Sequence, residues 1–327
     1  MPAPRKSRDK SKPEDAAVHP ALRGYIAADR LSTKLLSELE RIAQADSTVL
    51  ISGESGTGKD LAASVLHYQR RPQEPLVKID CAALPPELFE SELFGYEKGA
   101  FTGASAMKRG RLELAGDGTV IFDEITSLTL PLQAKLLRVL EDRKFMRLGG
   151  TKPIGLKARI VATSNTDLAA AVEAGLFRRD LYYRLNVVPV SLLPLRARRA
   201  DIMPLAHRFL KIAADARGAK TPELSSGAAR AMVDYDYPGN IRELRNIMER
   251  VMLRAPATVR SEDVEPYLGR QSKAPRLLSL EEVEKRHIAE VLDQTRGKKG
   301  KAAEVLGISR KNLLEKRKKY GLDEIEE

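Results

Sequence analysis

The sequence predicts an α/β protein: a parallel sheet covered on both faces, then a small helical domain, then a basic three-helix end. Three observations carry this reading. Four short apolar runs, TVLIS (48–52), LVKID (76–80), TVIFDE (119–124) and ARIVATS (158–164), alternate with helical patterns between residues 23 and 195. Buried strands separated by helices imply crossover connections and a sheet wrapped on both sides. The strand signal then stops after residue 195, and the last thirty residues gather Lys298, Lys299, Lys301, Arg310, Lys311 and the run 316–319 on a helical pattern.

Taken in order, residues 1–22 are polar, contain proline and hold Arg5, Lys6, Arg8, Lys10 and Lys12. Without apolar periodicity they read as a disordered basic tail. Residues 23–195 form the α/β core; within it PLQAKLLRVLED (131–142) places Leu132, Leu136, Val139 and Leu140 on one helical face. Residues 196–269 read as a helical lid, with helices in DIMPLAHRFLKIAADA, SSGAARAMVDY and IRELRNIMERVML. Residues 270–277 are polar, carry Pro275 and read as a linker. Residues 278–327 form three helices.

Composition excludes several classes. At 327 residues the chain is long enough for two or three domains and a sizeable core. No apolar run approaches the roughly 18–20 residues of a membrane helix, and MPAPRKSRDKSKPEDAA has no secretory apolar stretch. A single cysteine, Cys81, allows no internal disulfide and fits the cytosol. His19, His67, His207 and His287 share no metal-ligand spacing, which argues against a zinc site. The formal charge of +11 suits a polyanionic partner.

GESGTGK (53–59) follows a strand directly and opens a helical run. In that setting Gly53, Glu54, Ser55, Gly56, Thr57, Gly58 and Lys59 form a phosphate-binding loop: backbone N–H groups and the helix N-terminus cradle phosphates, and Lys59 reaches the outer ones. Asp60 stands where a serine or threonine usually follows the lysine. Asp123 and Glu124 lie at the C-terminal edge of TVIFDE, the edge where such sheets bind ligands. One carboxylate can hold Mg²⁺ and the next can activate water. Downstream, KKGKAAEVLGISRKNLLEKRKKYG has the pattern of a helix-turn-helix, with Ala303 at the crossing, Gly307 at the turn, and Ile308 and Leu313 in the core. Its second helix, about 309–319, would enter a major groove. Ser309, Arg310, Lys311, Asn312 and Lys316 are candidates for bases or phosphates, and Lys299 and Lys301 for phosphates. Charge without interleaved aromatics favours duplex over single-stranded DNA.

Between the two halves of the nucleotide site lies ELFGYEKGAFTGA, ending in Gly99, Ala100, Phe101, Thr102, Gly103 and Ala104. Two glycines, two alanines and one aromatic read as a loop without a packed core of its own. On this hexapeptide, the phosphate loop and the acid pair, the chain resembles the bacterial enhancer-binding proteins, NtrC-type activators of sigma-54 RNA polymerase. The likeness runs from about residue 40 to residue 320. It implies an AAA+ ATPase core with a helical lid and a Fis-type helix-turn-helix domain. It also implies ATP and Mg²⁺ as cofactors, and residues 99–104 as the element that touches sigma-54. Further implied partners are upstream enhancer sites on duplex DNA and other copies of the chain, with dimers assembling into a hexamer.

The same resemblance assigns roles within the site. Asp123 would coordinate the metal and Glu124 would be the hydrolytic base; an acidic residue at position 60 is a trait of the family. In FRRDLYYRLNV, Arg178 and Arg184 stand where arginines reach a neighbouring subunit's ATP, with Arg179 a third candidate for that role. Asn165 matches a sensor of the terminal phosphate, and Arg242 in YPGNIREL a lid arginine that reports nucleotide, with Asn240 placed to cap the helix that follows. Asp80 replaces the asparagine that usually pairs with the catalytic glutamate; two carboxylates in contact would be coupled, one with a raised pKa, and Asp80→Asn would change the pH profile of hydrolysis. SLEEVEKRHIAEVLDQT resembles the first helix of dimerising Fis-type domains. No receiver-like stretch precedes the core, so control by an attached receiver is not expected. The competing readings are a DNA-binding repressor or architectural protein, and an ATPase that remodels some other protein.

Overall fold

The computed structural model describes residues 25–254, 257–269, 280–295 and 298–321, which fall into two compact units divided after Gly269. The expected tail (1–22) and linker (270–277) lie outside the described residues. In the first unit five parallel strands form one sheet: β1 (Val49–Ser52), β2 (Leu76–Asp80), β3 (Thr119–Asp123), β4 (Arg159–Ser164) and β5 (Val188–Ser191), in the order β2-β3-β4-β1-β5. The longer helices of the sheet region are α1 (Arg30–Ala43), α2 (Lys59–Tyr68), α3 (Pro86–Phe94), α4 (Leu130–Asp142), α5 (Leu168–Glu173) and α6 (Arg179–Leu185), with a single turn at Arg111–Leu114.

The alternation of each strand explains the two layers. Val49 and Ile51 of β1, Ile121 of β3 and Val161 of β4 pack with α1 and α2 through Leu39, Ala43, Ala62 and Leu66. Leu50, Val120, Phe122, Ile160 and Ala162 point the other way, onto Phe89 and Leu93 of α3, Leu136 and Leu140 of α4 and Leu181 of α6. Successive side chains of a strand face opposite sides, so a sheet buried on both faces carries apolar residues at consecutive positions, and its buried polar residues need hydrogen-bond partners. All six residues of β4 are buried.

The fifth strand was not legible in the sequence. It carries Pro189, which cannot donate to a ladder, and such strands survive only at an edge; β5 is one of the two edge strands, pairing with β1 alone. The lid comprises α7 (Ile202–Asp215), α8 (Ser226–Asp234) and α9 (Asn240–Leu253), packed through Leu205, Leu210, Met232, Leu244 and Met248. It is not strand-free, as the sequence implied: Glu223–Leu224 and Thr258–Val259 pair in parallel. Two-residue ladders have no period to read.

A buried cation fixes the sheet region from below. Arg159, 1% exposed, donates through Nη1 to Ala43 O (3.1 Å) and Leu66 O (3.3 Å) and through Nη2 to Ile42 O (2.9 Å), tying together the C-terminal ends of α1 and α2. Burial lowers its pKa to about 10, so it stays charged at neutral pH.

The second unit contains α10 (Leu280–Gln294), α11 (Lys299–Val305) and α12 (Arg310–Tyr320). Ile288, Leu292, Ala303, Leu313 and Tyr320 form its core. Ser309 caps α12 by accepting from Asn312 N, and Gly321 ends it at φ 64°.

Candidate nucleotide-binding site

The sheet order builds this site. β4 lies between β1 and β3, with Ser52 level with Ser164 and Phe122 level with Ala162. The loop after β1, the acids after β3 and Asn165 after β4 therefore meet at one sheet edge, though 41 residues separate Asn165 from Glu124 in sequence. A pocket of about 430 Å³ opens there, within the usual range for small-molecule sites.

The loop at 53–59 is rigidly held. Thr57 Oγ1 donates back to Glu54 O (2.8 Å), and Arg198 Nη2 donates to Thr57 O (2.7 Å). Gly58, at φ 103°, starts α2 and leaves its first N–H groups facing the pocket. Lys59 is buried, and its Nζ donates to Gly53 O (2.7 Å) and Glu54 O (3.1 Å). Burial lowers its pKa, while Asp123, Glu124 and Asp60 act in the opposite direction.

Across the pocket, Asp123 Oδ1 accepts from Thr163 Oγ1 (2.5 Å) and Oδ2 faces Lys78 Nζ (2.7 Å). Burial would raise the pKa of this carboxyl; the hydrogen bonds from Lys78 and Thr163 outweigh that and lower it. Glu124 leaves the strand in the left-handed region, φ 53° and ψ 54°, a conformation of about 1–2 kcal/mol cost for a residue with a Cβ. Its N–H is held by Thr163 Oγ1 (3.2 Å), and its Oε1 accepts from Asn165 Nδ2 (3.0 Å). The sequence expected Asp80 against Glu124. Instead the hydrogen-bond partner of the Glu124 carboxylate is Asn165, and Asp80 Oδ1 accepts from Ala82 N (2.9 Å) in its own turn. Burial, reinforced by Asp80, Asp123 and Glu124, pushes the neighbouring Cys81 thiol far up, so it stays protonated.

The lid seals the loop, and two residues act differently from the sequence reading. Asn240 does not cap α9 with its side chain. It is fully buried, at φ 52°, and bridges the two parts: Oδ1 accepts from Leu195 N (2.8 Å), and Nδ2 donates to Ser55 O (3.0 Å) and Glu54 Oε2 (3.1 Å). Glu54 is a tether to the lid, bound by Arg196 through Nη2 (2.5 Å) and Nη1 (2.8 Å). Hydrogen bonds from Arg196 and then Asn240 hold its carboxyl down at about 2. Arg242 reaches the pocket from α9 and donates to Ser55 Oγ (2.9 Å).

Residues that sequence reasoning missed form the apolar wall: Tyr25, Ile26, Leu205, Phe209 and Ile241. They come from separate segments and carry no local signal. One end of the pocket thus offers a lysine and backbone N–H groups, the other a slot for a flat ring, and together these suit a nucleoside triphosphate.

The three arginines lie elsewhere. Arg178 pairs with Asp180 (2.6 Å) and Arg179 with Glu173 (3.2 Å), both on the surface, and Arg184 donates to Leu140 O (2.8 Å) at the end of α4. None of them lines the pocket that holds Lys59 and Asp123.

The hexapeptide stands on an antiparallel ladder of Gly95–Tyr96 with Lys108–Arg109. Gly99 N donates to Ala104 O (2.8 Å) and Ala104 N to Phe101 O (3.0 Å), closing a tight tip with Ala104 buried at its foot. Phe101 is 46% exposed, yet it is not without packing: its ring meets Tyr96 edge-on, centroids 4.9 Å apart. A second turn supports it. Arg147 binds Glu113 (2.9 Å) and Glu97 (2.7 Å), and Gly149 approaches Ala100 so closely that an added Cβ would lie 2.8 Å from the alanine's.

In the second unit Lys311 and Asn312 are exposed, as are Lys299 and Lys301. Ser309 serves as the cap, Arg310 lies over Gly300, and Lys316 turns inward to pair with Glu284, whose other oxygen accepts from Tyr320 OH (2.7 Å). Lys316 is thus part of the bundle. Lys318 and Leu314 stand exposed instead, at i+7 and i+3 from Lys311, a spacing available once Leu313 is assigned to the core.

A glycine-rich loop between a buried strand and a helix, an acid pair on the adjacent strand end and a helical lid over both define a P-loop nucleotide-binding domain. Residues 25–191 match the sigma-54 interaction domain, residues 196–279 the AAA+ ATPase lid domain and residues 279–320 the Fis family of bacterial regulatory proteins. The chain belongs to the sigma-54 interaction domain family. It is 45% identical over 303 residues to the regulatory protein AtoC of Escherichia coli K12, covering 88% of this chain and 66% of AtoC. It is 49% identical over 231 residues to the response regulator protein FleR of Pseudomonas aeruginosa, covering 70% and 49%, and 43% identical over 292 residues to the nitrogen fixation protein AnfA of Azotobacter vinelandii, covering 87% and 55%. The chain therefore spans about half to two thirds of the length of these relatives. Crystal structures of NtrX from Brucella abortus, with ATP and with ADP, superpose with a TM-score of 0.69 at 33% identity; the ATP complex covers 90% of this chain and 69% of NtrX.

Proposed function

We propose that the chain is an ATP-driven activator of sigma-54 RNA polymerase, binding duplex DNA at upstream sites through α11 and α12. The observation that carries this is the convergence of Lys59, Asp123 and Glu124 on one pocket, with Asn165 hydrogen-bonded to Glu124, in the same unit as an exposed loop at 99–104. Lys59 and the N–H groups of 55–60 bind and orient the phosphates. Glu124 accepts the proton of the attacking water; Asn165 holds Oε1 and so leaves Oε2 for that water. Asp123 would hold Mg²⁺. The site fits that ion: Asp123 lines the pocket beside Glu124 and across from the phosphate loop, and magnesium is commonly held by one or two carboxylates plus phosphates and water. Bound there, it would neutralise charge on the phosphates.

Arg178 and Arg184, with Arg179 as a third candidate, are exposed and outside the pocket of their own chain and would serve a neighbouring copy in a ring, six by resemblance to the family. Phe101 and Thr102 would meet sigma-54. Action would be in the cytoplasm, with the polymerase and DNA that the family's activators engage; no helix among the described residues is long and apolar enough to cross a membrane. The test is open-complex formation on a sigma-54 promoter in vitro. It should require sigma-54 holoenzyme and hydrolysable ATP together; activity with a non-hydrolysable analogue, or with another sigma factor, overturns the proposal.

A further inference from the structure

Asp60 and Asp123 come from different elements, the first turn of α2 and the end of β3, yet one ammonium joins them. Lys78 Nζ lies 2.7 Å from Asp60 Oδ1 and 2.7 Å from Asp123 Oδ2. The other oxygen of Asp123 is taken by Thr163. The geometry follows from the sheet: β2 pairs with β3 with Asp80 level with Asp123, which sets Lys78 one pleat back on the same face. Two carboxylates alone would carry −2 and draw any divalent cation; with Lys78 among them the trio carries −1.

We infer that Lys78 is a positioning residue that competes with the divalent cation for Asp123, so that the metal enters only with the extra negative charge of a nucleotide's phosphates. Asp60, where other phosphate loops place a metal-binding hydroxyl, then holds Lys78 rather than the metal. At 43% exposed, the Lys78 side chain has room to turn off Asp123 while keeping Asp60. The inference rests on the proposed ATP-dependent function and adds a control on metal entry.

The test is Mn²⁺ binding to the full chain without nucleotide, read by electron paramagnetic resonance, with Asp123→Ala as the baseline lacking the site. Lys78→Met should bind Mn²⁺ about tenfold more tightly than wild type, a figure for loss of one nearby charge discounted for solvent. Lys78→Arg should stay within about threefold of wild type, because it keeps the charge. Asp60→Asn should bind more weakly, since it removes one negative charge and leaves Lys78 wholly to Asp123. Unchanged or weaker binding in Lys78→Met overturns the inference. Should that variant not fold, tighter or unchanged binding in Asp60→Asn overturns it as well. Wild-type protein that fails to bind ATP with Mg²⁺ would sink the proposed function; wild type that hydrolyses ATP while Lys78→Met leaves Mn²⁺ affinity unmoved would sink this inference alone.

Discussion

The chain has two glycine-rich loops in one unit, and they use glycine for different reasons. In the phosphate loop glycine answers crowding. A Cβ on Gly56 would lie 2.4 Å from Gly239 O, and one on Gly53 2.9 Å from Leu192 O, on top of φ values of 77° and 153°. In the hexapeptide, Gly99 (φ 83°) and Gly103 (φ 104°) have nothing within 4 Å of where a Cβ would stand. The first loop is gripped by Asn240, Arg196 and Arg198 from the lid side. The second closes on its own backbone and presents Phe101 outward. One loop is built to hold phosphates still beneath the lid, the other to offer a small shaped tip to something outside.

The largest expected effect tests the first loop's chemistry. Glu124→Gln should lower ATP hydrolysis by roughly 100-fold or more while ATP binding, followed by calorimetry, is kept; hydrolysis near the wild-type rate would remove Glu124 from the proton step. The next tests the second loop alone. Thr102→Ala should abolish transcription activation and leave ATPase activity within about twofold, since the tip makes no contact with the pocket. Loss of both activities together would show that the loops are not separable.

A paired substitution sharpens the contrast in energy. Gly56→Ala should destabilise the first unit by about 3 kcal/mol, combining left-handed backbone strain with a clash against the lid, and should weaken ATP binding. Gly103→Ala should cost only about 1 kcal/mol, the strain alone. Equal shifts in denaturation midpoint would erase the distinction. The smallest effect concerns the lid tether. The Glu54 carboxyl is lowered from 4.5 to about 2 by Arg196 and Asn240. A depressed acid stabilises the fold fully above its unfolded value and loses that contribution as pH falls towards the folded one. The stability gap between wild type and Glu54→Gln, measured in urea, should therefore be largest above pH 5 and narrow between pH 5 and pH 2. The exposed setting keeps it modest, and a gap that widens on acidification would contradict the tether.

Much of this was written locally. Three strands, β1, β3 and β4, were readable because both their faces are buried, which leaves mostly apolar runs, and β2 was readable from the apolar residues flanking Lys78. The phosphate loop, the acid pair and the recognition helix were readable because each chemistry sits on consecutive residues. The edge strand with Pro189 and the two-residue ladders were not, since neither has a run or a period. Lys78 and Arg159 were invisible for another reason: a charged residue in a strand looks like a surface position until its partners are known.

By itself, then, the sequence determined the element types, the phosphate-binding chemistry and the hexapeptide, because each depends on neighbours along the chain. Tertiary structure alone decided the partners. It gave Glu124 to Asn165 instead of Asp80, turned Glu54 and Asn240 from ligand and cap into tethers of the lid, drew Lys316 into its own bundle, and set one lysine between Asp60 and Asp123. Those pairings depend on the order in which five strands lie side by side and on how helices close over them, and distance along a chain carries no record of that.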